Sequence, residues 1–92
     1  MKSRRIELYQ SGTGRDSADC EYEYGCSVQA IVSGTATYSI QWSNDGGTTW
    51  VDHDTISSAT ASANGAFTVG VDKVAVNVSS GTGNVSVYLK GA

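Results

Sequence analysis

The stretch Tyr38-Ser-Ile-Gln-Trp42-Ser-Asn-Asp-Gly-Gly-Thr-Thr-Trp50 decides the fold, because it contains a strand, a tight turn and the start of a second strand. Tyr38, Ile40 and Trp42 alternate with polar side chains, and this period of two places the large apolar residues on one face of a half-buried strand. The short polar side chains and glycines of residues 43–49 favour a chain reversal. We therefore expect a hairpin in which both tryptophans are largely buried and pack on one core.

The turn has the spacing Ser43-x-Asp45-x-Gly47-x-Thr49-Trp50. This spacing resembles the Asp-box of sialidases and of many other secreted or viral β-proteins, and it matches at every defined position. In those families the motif is a hairpin-turn device remote from the active site. The resemblance therefore implies a structural role for these five residues and gives no support for hydrolysis. A propeller sialidase also needs several blades of about four strands each, for which 92 residues leave no room.

Length and composition predict one small all-β domain. The chain has 92 residues with 11 glycines and no proline, which indicates short strands and many turns rather than helices. Residues 6–92 are expected to form an antiparallel β-sandwich, with a compact β-barrel as the alternative. The predicted core residues are Tyr38, Ile40, Trp42, Phe67, Val76 and Val87.

The segments before the central hairpin predict two further strand regions. Ile6 and Leu8 begin a short first strand, residues 11–14 form a turn, and residues 15–19 are interpreted as a polar loop. Residues 20–32 keep one apolar parity through Gly25, so they form either one bent strand or two strands joined at that glycine.

The segments after the central hairpin predict two more reversals. Asn64-Gly65 is the pair preferred in two-residue type I′ hairpins, and it is followed by Phe67 and Val69, which are expected to face inward. Residues 74–78 and 85–89 alternate valine or leucine with other side chains around a Gly/Thr-rich turn, which predicts a terminal hairpin with one apolar face.

The two cysteines pose a geometric question. Cys20 and Cys26 would lie about 20 Å apart on a continuous strand, whereas a disulfide needs Cα atoms about 5.5 Å apart. Only a reversal near Gly25 would allow the bond, so we expect two reduced thiols packed as small apolar groups.

No stretch of the sequence carries a recognisable catalytic motif. Asp52-His53-Asp54 contains two carboxylates and a histidine, which are residue types used in catalysis. Adjacent side chains on a strand point to opposite faces, however, so these three do not form one site. The acidic residues Asp16, Asp19, Glu21 and Glu23 could bind calcium or a basic partner, although a solvated face is the interpretation that we prefer. We expect no enzymatic activity, no metal and no cofactor.

The charge distribution separates an arm from a body. Lys2, Arg4 and Arg5 carry +3 in a chain of net charge -3, so residues 6–92 carry -6. An acidic body argues against nucleic-acid binding. No run reaches the ~18 apolar residues of a membrane span, and residues 1–5 lack the apolar region of a secretory signal. Residues 1–5 are interpreted as a basic arm that contacts a partner, or else as a solvated tail.

From residue 28 to residue 89 the sequence resembles small virion proteins of tailed bacteriophages. The resemblance is carried by a strand ending in Ser33-Gly34-Thr35, by Ile40-Gln-Trp-Ser-Asn-Asp-Gly with Trp50-Val51, by the Asn64-Gly65 pair, and by Val74-Ala-Val-Asn-Val78 with its following turn and last strand. Such proteins are β-sandwiches that decorate or cement capsids or form parts of tails and fibres, usually as oligomers.

The resemblance implies a non-enzymatic virion structural protein. The first expectation is a capsid decoration or cement protein on the capsid surface, synthesised in the host bacterial cytoplasm. It would bind the major capsid protein or another virion protein and act as a homo-oligomer, for which a trimer is one possible form. The alternative is a carbohydrate-binding or host-attachment module of a tail or fibre, because exposed Tyr and Trp rings can stack on sugars.

Overall fold

The predicted β-sandwich is confirmed. The computed structural model describes residues 5–20 and 22–91, which form two four-stranded antiparallel sheets. The eight strands found in these residues are β1 Arg5–Ser11, β2 Gly14–Asp19, β3 Cys26–Ser33, β4 Ala36–Ser43, β5 Val51–Asp52, β6 Ala63–Phe67, β7 Lys73–Gly81 and β8 Asn84–Gly91.

The strands divide into sheet A, with the order β1-β8-β3-β6, and sheet B, with the order β2-β7-β4-β5. The predicted terminal hairpin is wrong, because β7 pairs with β2 and β4 in sheet B whereas β8 pairs with β1 and β3 in sheet A. The apolar faces of β7 and β8 therefore meet across the core instead of lying side by side. The chain also changes sheets between β1 and β2.

The core lies between the two sheets. Tyr38, Ile40, Phe67, Val76 and Val87 are buried there, and Trp42 is partly buried against the same cluster. The Tyr38 hydroxyl donates to the carbonyl oxygen of Ala61 at 2.8 Å, and burial raises the pKa of Tyr38.

Three sequence-based expectations about strand positions are wrong. Residues 15–19 belong to β2, where Lys73 of β7 forms an ion pair with Asp19. Asn64 and Gly65 lie inside β6, where a Cβ on Gly65 would come within 3.2 Å of the Ile56 side chain. The glycine therefore serves close packing, not a turn. Val69 is 65% exposed.

The basic arm is also shorter than expected. Arg5 is the first residue of β1 and pairs with Lys90 of β8. The strand that was predicted to begin at Ile6 therefore begins one residue earlier. Lys2 and Arg4 lie outside the described residues.

The two open sides of the sandwich are closed differently. On one side Asp16 of β2 reaches the neighbouring sheet and accepts a hydrogen bond from the backbone N–H of Tyr9 at 2.9 Å. On the other side, residues 53–59 run back along β4 and form backbone hydrogen bonds with Ile40 and Tyr38. Ile56 of this segment is buried in the core.

Candidate functional site: one covered and one open sheet face

The Asp-box-like segment is a turn held together by one carboxylate. Asp45 Oδ1 accepts hydrogen bonds from the Ser43 hydroxyl at 2.7 Å and from the backbone N–H groups of Thr49 at 2.9 Å and Thr48 at 3.1 Å. The bond from the Thr49 amide and the one from Ser43 are the main reasons why the pKa of Asp45 falls to about 2. Gly47 has a φ of 97° and donates its N–H to the Ser43 hydroxyl at 3.0 Å.

Asp72, which the sequence did not single out, anchors this turn to the segment before β7. Its carboxylate accepts from the Gly46 N–H at 2.8 Å, and its own N–H donates to the Asn44 side-chain oxygen at 2.9 Å. No local signal marks Asp72, because its partners lie 26 and 28 residues away in the chain. The turn is therefore held both by the bonds of Asp45 within it and by the bonds of Asp72 from the segment before β7.

The turn returns the chain across the outer face of sheet B. Arg15 points outward from β2, its Nε donates to Gln41 Oε1 at 3.1 Å, and its guanidinium carbon lies 5.0 Å from the centre of the Trp50 ring. Trp50 therefore lies on the outer side of sheet B, away from the core cluster that contains Trp42. The expectation that both tryptophans pack on one core is wrong for Trp50, since the turn between them carries the chain to the opposite face.

A series of side-chain hydrogen bonds extends the layer formed by Arg15 and Trp50 across the outer face of sheet B. Gln41 is buried and donates through Nε2 to Asp52 at 2.9 Å, and Asp52 also accepts from the Ser57 hydroxyl at 2.7 Å. These two bonds, with the one from Gln41 the larger effect, lower the pKa of Asp52. Ala75, on the same outer face, is fully buried. The protein covers this face of sheet B with its own segments.

Within residues 5–20 and 22–91, no segment covers the outer face of sheet A in this way. We call it the outer A face, and it is defined by Arg5, Glu7 and Tyr9 of β1, Gln29 and Ile31 of β3, and Tyr88 of β8. Strand alternation directs these side chains away from the core. Tyr9 is 54% exposed and Ile31 is 43% exposed, and the two lie in one row of the sheet on either side of Ser86.

Charges border the aromatic centre of the outer A face. Tyr88 lies in the next row, between Glu7 and Gln29. The Arg5 guanidinium lies 5.7 Å from the centre of the Tyr88 ring and forms an ion pair with Glu7 at 2.7 Å. Arg5 was expected to contact a partner from a free arm, but the structure places it at the rim of a sheet face.

A groove of about 280 Å³ lies beside the turn. Trp42 and Val51 form its apolar part, and Asn44, Asp45 and Thr49 contribute polar groups. The turn, and all of the groove lining except Val51, thus belong to the stretch from Tyr38 to Trp50.

His53 is a structural residue that packs against β6. Its ring is buried and lies 5.0 Å from the Phe67 ring in an edge-on arrangement. Nδ1 accepts the Thr55 N–H at 3.1 Å, which leaves the proton on Nε2 to be donated to the Ala66 carbonyl oxygen at 2.8 Å. Asp54 is exposed and lies 3.3 Å from Nδ1. Both ring nitrogens are therefore engaged in holding this side of the sandwich.

Within residues 5–20 and 22–91, no three His, Cys, Asp or Glu side chains form a group that could hold a metal ion. The same part of the chain has no helix that is long and apolar enough to cross a membrane.

Comparison with known proteins returns a likeness in structure but not in sequence. No protein-family model matches the chain, and no curated protein matches it. Among solved structures, the chain is similar to the crystal structure of the Yersinia pseudotuberculosis-derived mitogen (YPM). The TM-score is 0.46 at 15% identity, and the match covers 98% of this chain and 86% of that chain.

Proposed function

We propose that the protein is a non-enzymatic virion structural protein of the capsid decoration or cement type, which binds the major capsid protein lattice through its outer A face. The observation that carries the proposal is the difference between the two sheet faces. The chain uses its turn and residues 52–58 to cover the outer face of sheet B, whereas Tyr9 and Ile31 remain open on sheet A. The sequence resemblance to phage virion proteins supports the same assignment.

The chemistry of the outer A face suits a protein partner. Tyrosine and arginine are enriched at the centres of protein interfaces, since their large side chains combine apolar contact with hydrogen bonding. Here two tyrosines and an isoleucine lie at the centre, with Arg5, Glu7 and Gln29 beside them.

Association through this face is favoured over strand pairing at the edges of β1 and β4. Asp16 occupies the exposed Tyr9 N–H of β1, and residues 53–59 cover β4 beyond its short pairing with β5. Protected edges resist the addition of a further strand. We therefore place the contacts of the expected homo-oligomer on the side chains of the sheet face and its rim.

The direct test is co-sedimentation of the purified protein with assembled capsids of the phage that encodes it. The capsids are first stripped of the protein and then titrated with it. We expect saturable binding at a fixed number of copies per capsid protein, together with self-association in analytical ultracentrifugation. A protein that stays monomeric at high concentration and remains in the supernatant at every concentration contradicts the proposal.

The groove at the turn favours one second candidate, a carbohydrate-binding or host-attachment module. It combines the Trp42 ring with the side chains of Asn44 and Thr49, and an aromatic surface beside polar groups is the usual means of binding a sugar ring. Titration with a panel of mono- and oligosaccharides, followed by tryptophan fluorescence, tests this candidate. A saturable signal that is lost in Val51→Ser but retained in Val69→Ser supports it, and unchanged fluorescence across the panel rejects it.

A further inference from the structure

Cys20 and Cys26 are brought together by a turn of the chain. Cys20 directly follows β2 and Cys26 is the first residue of β3, and the intervening chain reverses with Gly25 N–H donating to the Tyr22 carbonyl oxygen at 3.4 Å. The Cys26 side chain is buried, and Cys20 packs against the same core cluster. The two side chains therefore meet in the same part of the core, where Cys20 acts on the Cys26 thiol electrostatically.

The reversal is fixed by its surroundings. Gly25 has a φ of 94°, and a Cβ at that position would lie 1.9 Å from the Phe67 carbonyl oxygen, so the backbone there packs directly on the chain after β6. The Cys20 N–H donates to the Asp72 carbonyl oxygen at 2.9 Å, and the Tyr22 hydroxyl donates to the Leu89 carbonyl oxygen at 3.3 Å. The thiols are thus held next to each other by contacts on both sides of the turn.

The pair also spans the two layers of the sandwich, since β2 belongs to sheet B and β3 to sheet A. We propose that Cys20 and Cys26 form an intramolecular disulfide in the folded protein when a small-molecule disulfide is supplied, and that this bond links the two sheets. This inference is independent of the proposed function.

The chemistry proceeds by two thiol–disulfide exchanges. The Cys20 thiolate attacks one sulfur of a disulfide RSSR, which forms a mixed disulfide and expels RS⁻. The Cys26 thiolate then attacks the Cys20 sulfur, forms the Cys20–Cys26 bond and expels the second RS⁻. The two protons lost by the cysteines end on the two expelled thiolates. The protein loses two electrons, and RSSR is reduced to two RSH.

The order of the steps follows from burial. Burial, and then the neighbouring Cys20, raise the pKa of the Cys26 thiol to about 12, so this group is almost entirely protonated near neutral pH. Cys20 is less buried and reacts first. Once Cys20 is part of the mixed disulfide, burial alone still raises the pKa of Cys26. The closing step should therefore accelerate by up to about tenfold for each unit of pH between 7 and 9, as the thiolate fraction of Cys26 grows.

The test is to incubate the reduced, purified protein with oxidised glutathione at pH 8 and then to count thiols after unfolding in denaturant. We expect both thiols to be lost with no retained glutathione, a mass lower by two hydrogen atoms, and one cross-linked peptide containing both cysteines. The urea midpoint of the oxidised protein should be higher than that of the reduced protein, since a bond between the sheets restricts the unfolded chain. Two free thiols, or a glutathione adduct that persists, would overturn the proposal.

Cys20→Ser provides the matched control. It should show no shift of the urea midpoint with oxidised glutathione and should form no intramolecular cross-link. A shift of the same size in Cys20→Ser would show that the effect of the oxidant does not come from this pair, and it would also overturn the proposal. The wild-type thiol count remains decisive if the variant folds poorly.

Discussion

Asp45 shows how a single exposed residue can organise a turn. Its Oδ1 atom accepts from one hydroxyl and two backbone amides, and these bonds lower its pKa from 3.8 to about 2. A depressed pKa in the folded state means that the carboxylate stabilises the fold at pH values above the unfolded pKa. That contribution is lost as the pH falls from 3.8 towards 2.

The corresponding prediction compares wild type with Asp45→Asn. Asparagine keeps an acceptor oxygen but has no charge, so the wild type should be the more stable protein at pH 5, and most of the difference should be lost by about pH 2. Urea midpoints measured at several pH values give the result. A wild-type advantage that stays constant between pH 5 and pH 2 contradicts the assignment.

Gly25 and Gly46 show two different reasons why a position requires glycine: its backbone conformation and the close packing around it. Both have positive φ values, 94° and 77°, but a Cβ on Gly25 would collide with the Phe67 carbonyl oxygen, whereas a Cβ on Gly46 would meet no atom within 4 Å. Gly46→Ala should therefore cost about 1 kcal/mol of unfolding free energy, for the left-handed conformation alone. Gly25→Ala should cost about 3 kcal/mol or more, because the backbone must also shift. Equal losses in a urea titration would contradict the packing at Gly25.

Residue types predicted some of these roles but not all of them. The Ser43-x-Asp45-x-Gly47 spacing indicated the turn, because the hydrogen bonds that define it are local in sequence. It did not indicate the position of Trp50, which depends on Arg15 and Gln41 from other strands. The contacts of Asp16 and Asp72 were missed for the same reason.

At the scale of secondary-structure elements, the alternation of apolar and polar residues predicted where strands lie but not which strands pair with each other. Val74, Val76 and Val78 indicate correctly that β7 has an apolar face, and Val85, Val87 and Leu89 do the same for β8. Neither pattern tells whether the two strands lie in one sheet or face each other across the core. The turn between them permits both arrangements, so the terminal hairpin could not be excluded from the sequence. The pair Asn64-Gly65 was wrongly interpreted as a hairpin turn for a related reason. Glycine also occurs inside a strand where a neighbouring side chain, here that of Ile56, packs closely against the backbone.

The segment from residue 53 to residue 59 provides a prediction at this scale. Ile56 is buried and holds the segment against β4. Ile56→Ala should cost about 2 to 5 kcal/mol of unfolding free energy through the lost burial and the cavity left behind.

Ile31→Ala is the matched control, because the same change is made on the outer A face at a residue that is 43% exposed. It should cost less than about 1 kcal/mol. Chemical denaturation of both variants gives the comparison. A larger loss for Ile31→Ala than for Ile56→Ala would show that the roles of the two isoleucines are reversed.

At the scale of the whole molecule, the sandwich covers the edge of β4 beyond β5 and the outer face of sheet B with its own segments. The proposed partner binding therefore uses the outer A face, with Arg5 at its rim. The class of fold could be predicted from the sequence because strand alternation and turn composition are local properties. The difference between the two faces could not, since it depends on where the loops after β4 and β5 fold back.

Lys2 and Arg4 remain proposed partner contacts, and deletion of residues 1–4 tests them while leaving Arg5 in β1. Binding to capsids should weaken at 0.1 M salt, where the Debye length is about 10 Å, and the difference from wild type should disappear at 1 M, where it is about 3 Å. Co-sedimentation at both salt concentrations gives the result. Lys2→Gln/Arg4→Gln should reproduce the deletion if charge is the cause. Equal occupancy of deleted and full-length protein at 0.1 M salt removes these residues from the interface.

The proposed binding surface is tested by the affinity of two matched double variants for capsids. Tyr9→Ser/Ile31→Ser changes the outer A face, and Tyr24→Ser/Val69→Ser changes similar residues, 85% and 65% exposed, in connecting segments away from it. Each protein is first shown to have the urea midpoint of the wild type within experimental error. We predict that the first variant loses about tenfold or more in affinity and that the second binds as the wild type does. Equal affinity of the two variants would contradict the assignment of the outer A face as the binding surface.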